Sequence, residues 1–275
     1  SSAASDVYKR QWERRASMTL TRELKRRGVN VIARTAVDRV DTGANLGATV
    51  HYRQGDSDED RTAYGEVVLA AIGRVPNTDA DWFRSSGLKL DERGYVTVDG
   101  YGRTNLDGVW ALGDITPGHA LAHRAFEQGI TIAEKIAGAD PKPVLDDTVP
   151  QVVFSFPEAA SVGLTLDQAK AREDVVEPKE TAYPMLSNAR MLMSGEGGSM
   201  TVVSGAFANN PDMQVVLGVH IVSPIASDLI AEAEQLVGNR VPLADATRLI
   251  HPHPTFSETL GEALLKADGR PLHTR

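Results

Sequence analysis

Between Val149 and Lys266 the strand-like runs come first and the helix-like runs come last. Val152-Val153-Phe154, Met200-Thr201-Val202-Val203 and the long run from Gln214 to Val222 are rich in β-branched residues. Helical patterns follow at Ile225 to Val237, Leu243 to Leu249 and Ser257 to Lys266. A doubly wound parallel sheet alternates strand with helix, so this segregation predicts an α+β unit instead. That unit needs only part of the chain. The 275 residues are enough for two domains, or for parts of three.

The front of the chain has another pattern. Charged residues interleave with Met18, Leu20 and Leu24 from Trp12 to Gly28, which predicts an amphipathic helix stopped at a glycine. Val29 to Ala33 then has the character of a short strand, with further strands around Val37 to Val40 and Ala48 to Arg53. The hydrophilic tip Gln54 to Arg61 separates these from Glu66-Val67-Val68-Leu69-Ala70-Ala71-Ile72, an apolar run of the length and composition of a buried parallel strand. Beyond it, Tyr95 to Val98 and Gly108 to Leu112 are strand-like, and Leu121 to Ala137 is helix-like.

Composition narrows the function. Lys and Arg number 29 against 37 Asp and Glu, a net charge of -8, and no basic block offsets it. Non-specific binding to nucleic acid or to an acidic membrane is therefore not expected. No apolar run approaches the roughly 18 residues of a membrane span. The absence of cysteine excludes disulfides, thiolate metal sites and a cysteine nucleophile within these residues. His119, His123 and His220 lack metal-ligand spacing, so no metal is expected. No G-x-G-x-x-G is present, and Gly195 to Gly198 has the character of a flexible hairpin between strands. Residues 6–11, Asp-Val-Tyr-Lys-Arg-Gln, are what the transposon-end adaptor GATGTGTATAAGAGACAG encodes. Residues 1–11 are accordingly expected to be a cloning or sequencing artefact, and the remainder to be the C-terminal part of a longer protein.

Three strings could carry chemistry. His251-Pro252-His253-Pro254-Thr255-Phe256-Ser257-Glu258 places two histidines in a proline-stiffened turn, with a carboxylate five residues after the second. Such a carboxylate can orient an imidazole and stabilise its protonated form. The same residues also match the helix-capping signature S/T-x-x-E, and the two roles are compatible. Ala71-Ile72-Gly73-Arg74-Val75-Pro76-Asn77-Thr78 is a strand exit where Gly73 would permit close approach of a ligand, or simply a turn. Val109-Trp110-Ala111-Leu112-Gly113-Asp114 leaves Asp114 at a strand end, able to accept hydrogen bonds from ligand hydroxyls or from its own turn.

Taken in order, these strings resemble the class I pyridine nucleotide-disulfide oxidoreductases, their dihydrolipoamide dehydrogenase branch above all. The resemblance extends over about residues 15 to 270. The Ala71 to Thr78 string is similar to the segment where the family's NAD domain rejoins its FAD domain, which associates Gly73 with NAD. Arg103-Thr104-Asn105 with Val109 to Asp114 is similar to the second flavin motif, whose Asp, here Asp114, binds the ribityl chain. Leu121-Ala122-His123 falls where the family lays backbone against the flavin ring. Pro150 to Phe154, Pro157-Glu158, Val162 to Thr165, Asn188-Ala189-Arg190 and Gly218-Val219-His220 are similar to the dimerisation domain, which ends in a His-x-His-Pro-Thr-x-Ser-Glu string.

The resemblance implies a fold class of α/β plus α+β. Residues 12–74 would close an NAD-binding domain, 75–146 would be the second part of an FAD-binding domain, and 147–275 an α+β dimerisation domain. It implies FAD and NAD as cofactors, a homodimer, a cytoplasmic location and a catalytic His253-Glu258 pair. The partner it implies is the lipoyl group of a 2-oxoacid dehydrogenase or glycine cleavage complex. The family's two G-x-G-x-x-G fingerprints and its Cys-x4-Cys lie upstream of everything matched, so this chain alone is expected to be inactive. Without sight of those cysteines, a flavin NAD(P)H:quinone reductase, another disulfide reductase or a non-catalytic dimerisation module stays open.

Overall fold

The computed structural model describes residues 12–43 and 47–274. The adaptor-like residues 1–11 lie outside them. The fold is mixed α/β with two antiparallel sheets. Helix α1 (Arg14–Arg26) leads into a small sheet of β1 (Thr35–Thr42), β2 (Ala48–Gln54) and β3 (Arg61–Gly65), in the order β1-β2-β3. After the short α2 (Asp81–Ser85) comes α3 (Ala122–Ile136). The C-terminal unit holds β4 (Gln151–Val153), β5 (Glu158–Gly163), α4 (Leu166–Ala171), β6 (Val175–Pro184), α5 (Ala189–Ser194), β7 (Ser199–Phe207) and β8 (Asn210–Ser223). Helices α6 (Ala226–Gly238), α7 (Leu243–Ala246) and α8 (Glu258–Ala267) close it. Its sheet runs β4-β5-β8-β7-β6. No helix among the described residues is long and apolar enough to cross a membrane.

The strands-then-helices pattern folds as its physics requires. Met200 pairs with Ile221 and Val202 with Val219, and these side chains bury against Ile230, Ala233 and Leu236 of α6 and Leu260 and Leu264 of α8. The alternate residues of β8 are buried too. Val222 packs with Ala159 under Ala16 of α1, and Val215 and Leu217 join Leu164, Ala169, Val175 and Val203. Cover on both faces explains why Val215 to Val222 is apolar apart from His220, instead of alternating. Gly218 is required here, because a Cβ on it would overlap the Leu164 carbonyl oxygen.

Buried polar groups help tie this unit together. Glu13, the N-cap of α1, accepts the backbone N–H groups of Arg15 and Ala16 and the Thr201 hydroxyl, pinning the helix to β7. His220 is wholly buried, with Nδ1 2.6 Å from Ser161 Oγ and Nε2 3.2 Å from the Leu164 carbonyl. Burial pushes its pKa down, which keeps the imidazole neutral.

Five expectations change. Val29 to Ala33 and Glu66 to Ile72 form no strand, and Leu69 and Ile72 are 80% and 73% exposed. A strand needs a neighbour to take its N–H and C=O groups, and no described strand pairs with either run. Tyr95 to Val98 and Gly108 to Leu112 make single bridges only, Leu90 to Val96 and Arg103 to Trp110, around a small core of Phe83, Val96 and Ala111. Gly195 to Gly198 is not a hairpin, because α5 intervenes after β6 and Gly195 terminates that helix in the left-handed conformation.

Candidate active site

The terminal string is built on α8. Leu260, Ala263 and Leu264 sink into the main core, which fixes the helix and sets Glu258 at its first turn, facing back over the preceding loop. Glu258 Oε1 lies 2.8 Å from His253 Nδ1, and Glu258 Oε2 accepts the Thr255 backbone N–H at 2.8 Å. Each carboxylate oxygen therefore has its own partner, the imidazole on one side and a backbone N–H on the other. The reciprocal arm of the capping box is not made: the Thr255 hydroxyl donates to the Pro252 carbonyl instead. Partial burial raises the Glu258 pKa, but the Thr255 N–H and the His253 contact outweigh it, and the carboxyl sits below its ordinary value. An ionised Glu258 accepts a hydrogen bond from Nδ1–H of a neutral His253, which leaves Nε2 as the open acceptor. The ring is 71% exposed and faces away from this chain's own core.

A second His-carboxylate pair lies beside it. His251 Nε2 is 2.9 Å from Glu232 Oε1 on α6, and that hydrogen bond raises the His251 pKa against an opposing effect of burial. The imidazole lies against Gly261 of α8, where a Cβ would come within 2.7 Å of Nδ1. Sequence reasoning missed Glu232, and nothing local could have found it, since the pairing joins a helix face to a loop through the fold. His273 and Glu262 form a third pair at 2.7 Å, equally unannounced.

The cofactor candidates sit in the other part of the chain. Gly113 has φ +72° and its Cα lies against Ala125 in the first turn of α3, which sets Asp114 near that helix start. The Gly113 N–H is held by the Gln128 side chain at 2.9 Å. Asp114 is exposed and its ion pair is Arg74 Nη1 at 3.4 Å. Leu121 is the N-cap of α3 and caps it with no side-chain bond, so the backbone there is open. His123 Nε2 is 2.7 Å from the Pro150 carbonyl, which ties α3 to the C-terminal unit. Gly73 is exposed, with nothing within 4 Å of a Cβ position. An exposed carboxylate beside an uncapped helix start suits a polyhydroxylated, anionic cofactor, so the residues present fit a flavin nucleotide. No hydrogen bond among the described residues joins these positions to His253 or Glu258.

Known proteins match the chain in two successive segments. The model of the pyridine nucleotide-disulphide oxidoreductase family matches residues 2–129, and that of the family's dimerisation domain matches residues 149–264. A dihydrolipoyl dehydrogenase of Cupriavidus necator is 38% identical over 254 residues, covering 92% of this chain and 51% of the relative. That of Geobacillus stearothermophilus is 36% identical over 268 residues, covering 95% and 54%. Among solved structures, LpdA from Mycobacterium tuberculosis superposes with a TM-score of 0.80 at 29% identity, covering 93% of this chain and 53% of that one. The chain thus spans about half the length of the relatives it matches. Its two matched segments, with the likeness of its fold to LpdA, make it a member of the pyridine nucleotide-disulphide oxidoreductase family.

Proposed function

We propose that the chain is the C-terminal part of an FAD-dependent dihydrolipoamide dehydrogenase, which converts dihydrolipoamide and NAD+ to lipoamide, NADH and a proton. The observation that carries this reading is the His253-Glu258 pair, with one carboxylate oxygen on the imidazole and the other on the Thr255 amide. Residues 12–74, 75–146 and 147–275 are the ends of the NAD and FAD domains and the dimerisation domain. Asp114 would hold ribityl hydroxyls, Leu121, Ala122 and His123 would lie beside the flavin ring, and Gly73 would serve the NAD side. When bound, FAD and NAD+ supply the electron and hydride transfer.

His253 would accept a thiol proton at Nε2, because thiolate and not thiol exchanges with a disulfide. Glu258 keeps Nδ1–H in place and stabilises the imidazolium that results. An exposed His253 on a dimerisation domain implies that it serves the partner subunit of a homodimer. The substrate class is the lipoyl group of a 2-oxoacid dehydrogenase or glycine cleavage complex, and the location is cytoplasmic. This chain alone is inactive, because the residues that would complete both nucleotide sites are not in it.

Reading the source DNA upstream of the Trp12 codon tests the assignment. Two G-x-G-x-x-G fingerprints with a Cys-x4-Cys between them support it. Fingerprints without the cysteines point to quinone reduction and overturn it. In the longer enzyme, His253→Gln is expected to slow dihydrolipoamide oxidation about 100- to 10,000-fold while flavin content is retained. Undiminished turnover by that variant refutes the role of His253.

A further inference from the structure

Asn188 lies far from the terminal string in sequence, yet it is 5% exposed, with one end of its carboxamide bonded to that string and the other to its own helix. Its Oδ1 accepts the Met191 backbone N–H at 3.0 Å, capping α5. Its Nδ2 donates to the Thr255 carbonyl at 3.1 Å. The orientation of the amide follows from its partners, since an N–H needs an acceptor and a carbonyl needs a donor. Next to it, the Arg190 guanidinium lies 5.7 Å from the Phe256 ring, a second link between α5 and the same turn.

We infer that Asn188 is a positioning residue for the His253-Glu258 pair, an inference that rests on the function proposed above. The links run in series. The Asn188 carboxamide holds the Thr255 peptide by its carbonyl, the Thr255 N–H holds Glu258 Oε2, and Glu258 Oε1 holds His253 Nδ1. Asn188 is anchored in turn, because its cap and the burial of Met185 and Met191 fix the start of α5 in the main core. The His253 ring gains no such support from its own neighbours, being 71% exposed at the tip of a loop. Orientation of an exposed imidazole then depends on the second oxygen of Glu258, and that oxygen depends on where Asn188 holds Thr255. Only a side chain that accepts with one atom and donates with the other can do both, and at this reach that is Asn.

Two substitutions separate the clamp from the cap. Asn188→Asp keeps an acceptor for Met191 but sets a carboxylate against the Thr255 carbonyl. Asn188→Ser also caps a helix but does not span the gap. The readout is the His253 tautomer, followed by long-range 1H–15N NMR on this chain above the pH where imidazole is charged. The unaltered chain is expected to hold the Nδ1–H form, and Glu258→Gln serves as the reference for a broken pair. Both Asn188 variants should move toward the Nε2–H form while the circular dichroism of the fold is unchanged. In the longer enzyme, the same variants should lower kcat for dihydrolipoamide oxidation about 10- to 100-fold, with the KM for NAD+ unaltered. A His253 tautomer identical in the unaltered chain and both Asn188 variants overturns the clamp. Should the tautomer shift while His253→Gln turns over undiminished, the clamp stands and the proposed function falls.

Discussion

Two stretches of this chain carry nearly the same sequence signal and end in opposite conditions. Gln214 to Val222 and Glu66 to Ile72 are both apolar, both of strand length and both rich in β-branched residues. The first becomes the centre of a five-stranded sheet, flanked by β5 and β7 and covered on both faces. The second lies in the open, unpaired among the described residues, with Leu69 80% exposed. An apolar run thus records what a segment needs in order to be buried. Whether it is buried depends on a neighbour that can take its backbone groups and cover its side chains.

That contrast has measurable consequences. Ile221→Ala should cost about 2–5 kcal/mol in urea unfolding, because it leaves a void between the sheet and its helices. Leu69→Ala should change this chain by no more than about 0.5 kcal/mol. Equal costs for the two would remove the distinction. If the proposed longer enzyme covers residues 66–72, Leu69→Ala should become as costly there as Ile221→Ala is here, and a cost that stays small would show that the run is never buried.

A smaller loss tests the close approach inside the well-packed region. Gly218→Ala should cost about 1–3 kcal/mol, since the added methyl must displace the Leu164 backbone. A neutral result would mean that β8 and the Leu164 turn are looser than they stand here.

The smallest effect concerns the charged edge of the same unit. His251 has a folded pKa above its ordinary 6.5, so its pair with Glu232 stabilises fully below that value and loses the contribution as pH rises through the folded pKa. Glu258 has the opposite sign: its contribution is present above 4.5 and fades as pH falls through its lowered value. Glu232→Gln should therefore flatten the stability change above about pH 6.5, by less than about 1 kcal/mol, in urea midpoints. An unaltered pH slope in that variant would exclude the His251 pair as its source.

Much of the fold is legible in the sequence. Helix α1 and its stop at Gly28, α3, and the three C-terminal helices all follow from helical periodicity. Strand β6 was not legible. Val175 to Pro184 mixes Glu, Lys and two prolines into its length, a composition a central strand could not tolerate. It is an edge strand paired only with β7, where unbonded N–H positions admit proline. The His253-Glu258 pair was visible because both residues lie in one turn. The Glu232 and Asn188 contacts were not, because each reaches that turn from an element distant in sequence.

What this chain determines locally is therefore periodicity, capping and the one short-range pair, since each depends on residues within a few positions of one another. Tertiary structure alone decided which apolar run was buried, that His220 would be a neutral core residue, and that a buried carboxamide on α5 would hold the turn bearing His253. Those outcomes depend on which surfaces meet. A hydrogen bond or a hydrophobic contact between distant residues leaves no spacing in the sequence to announce it.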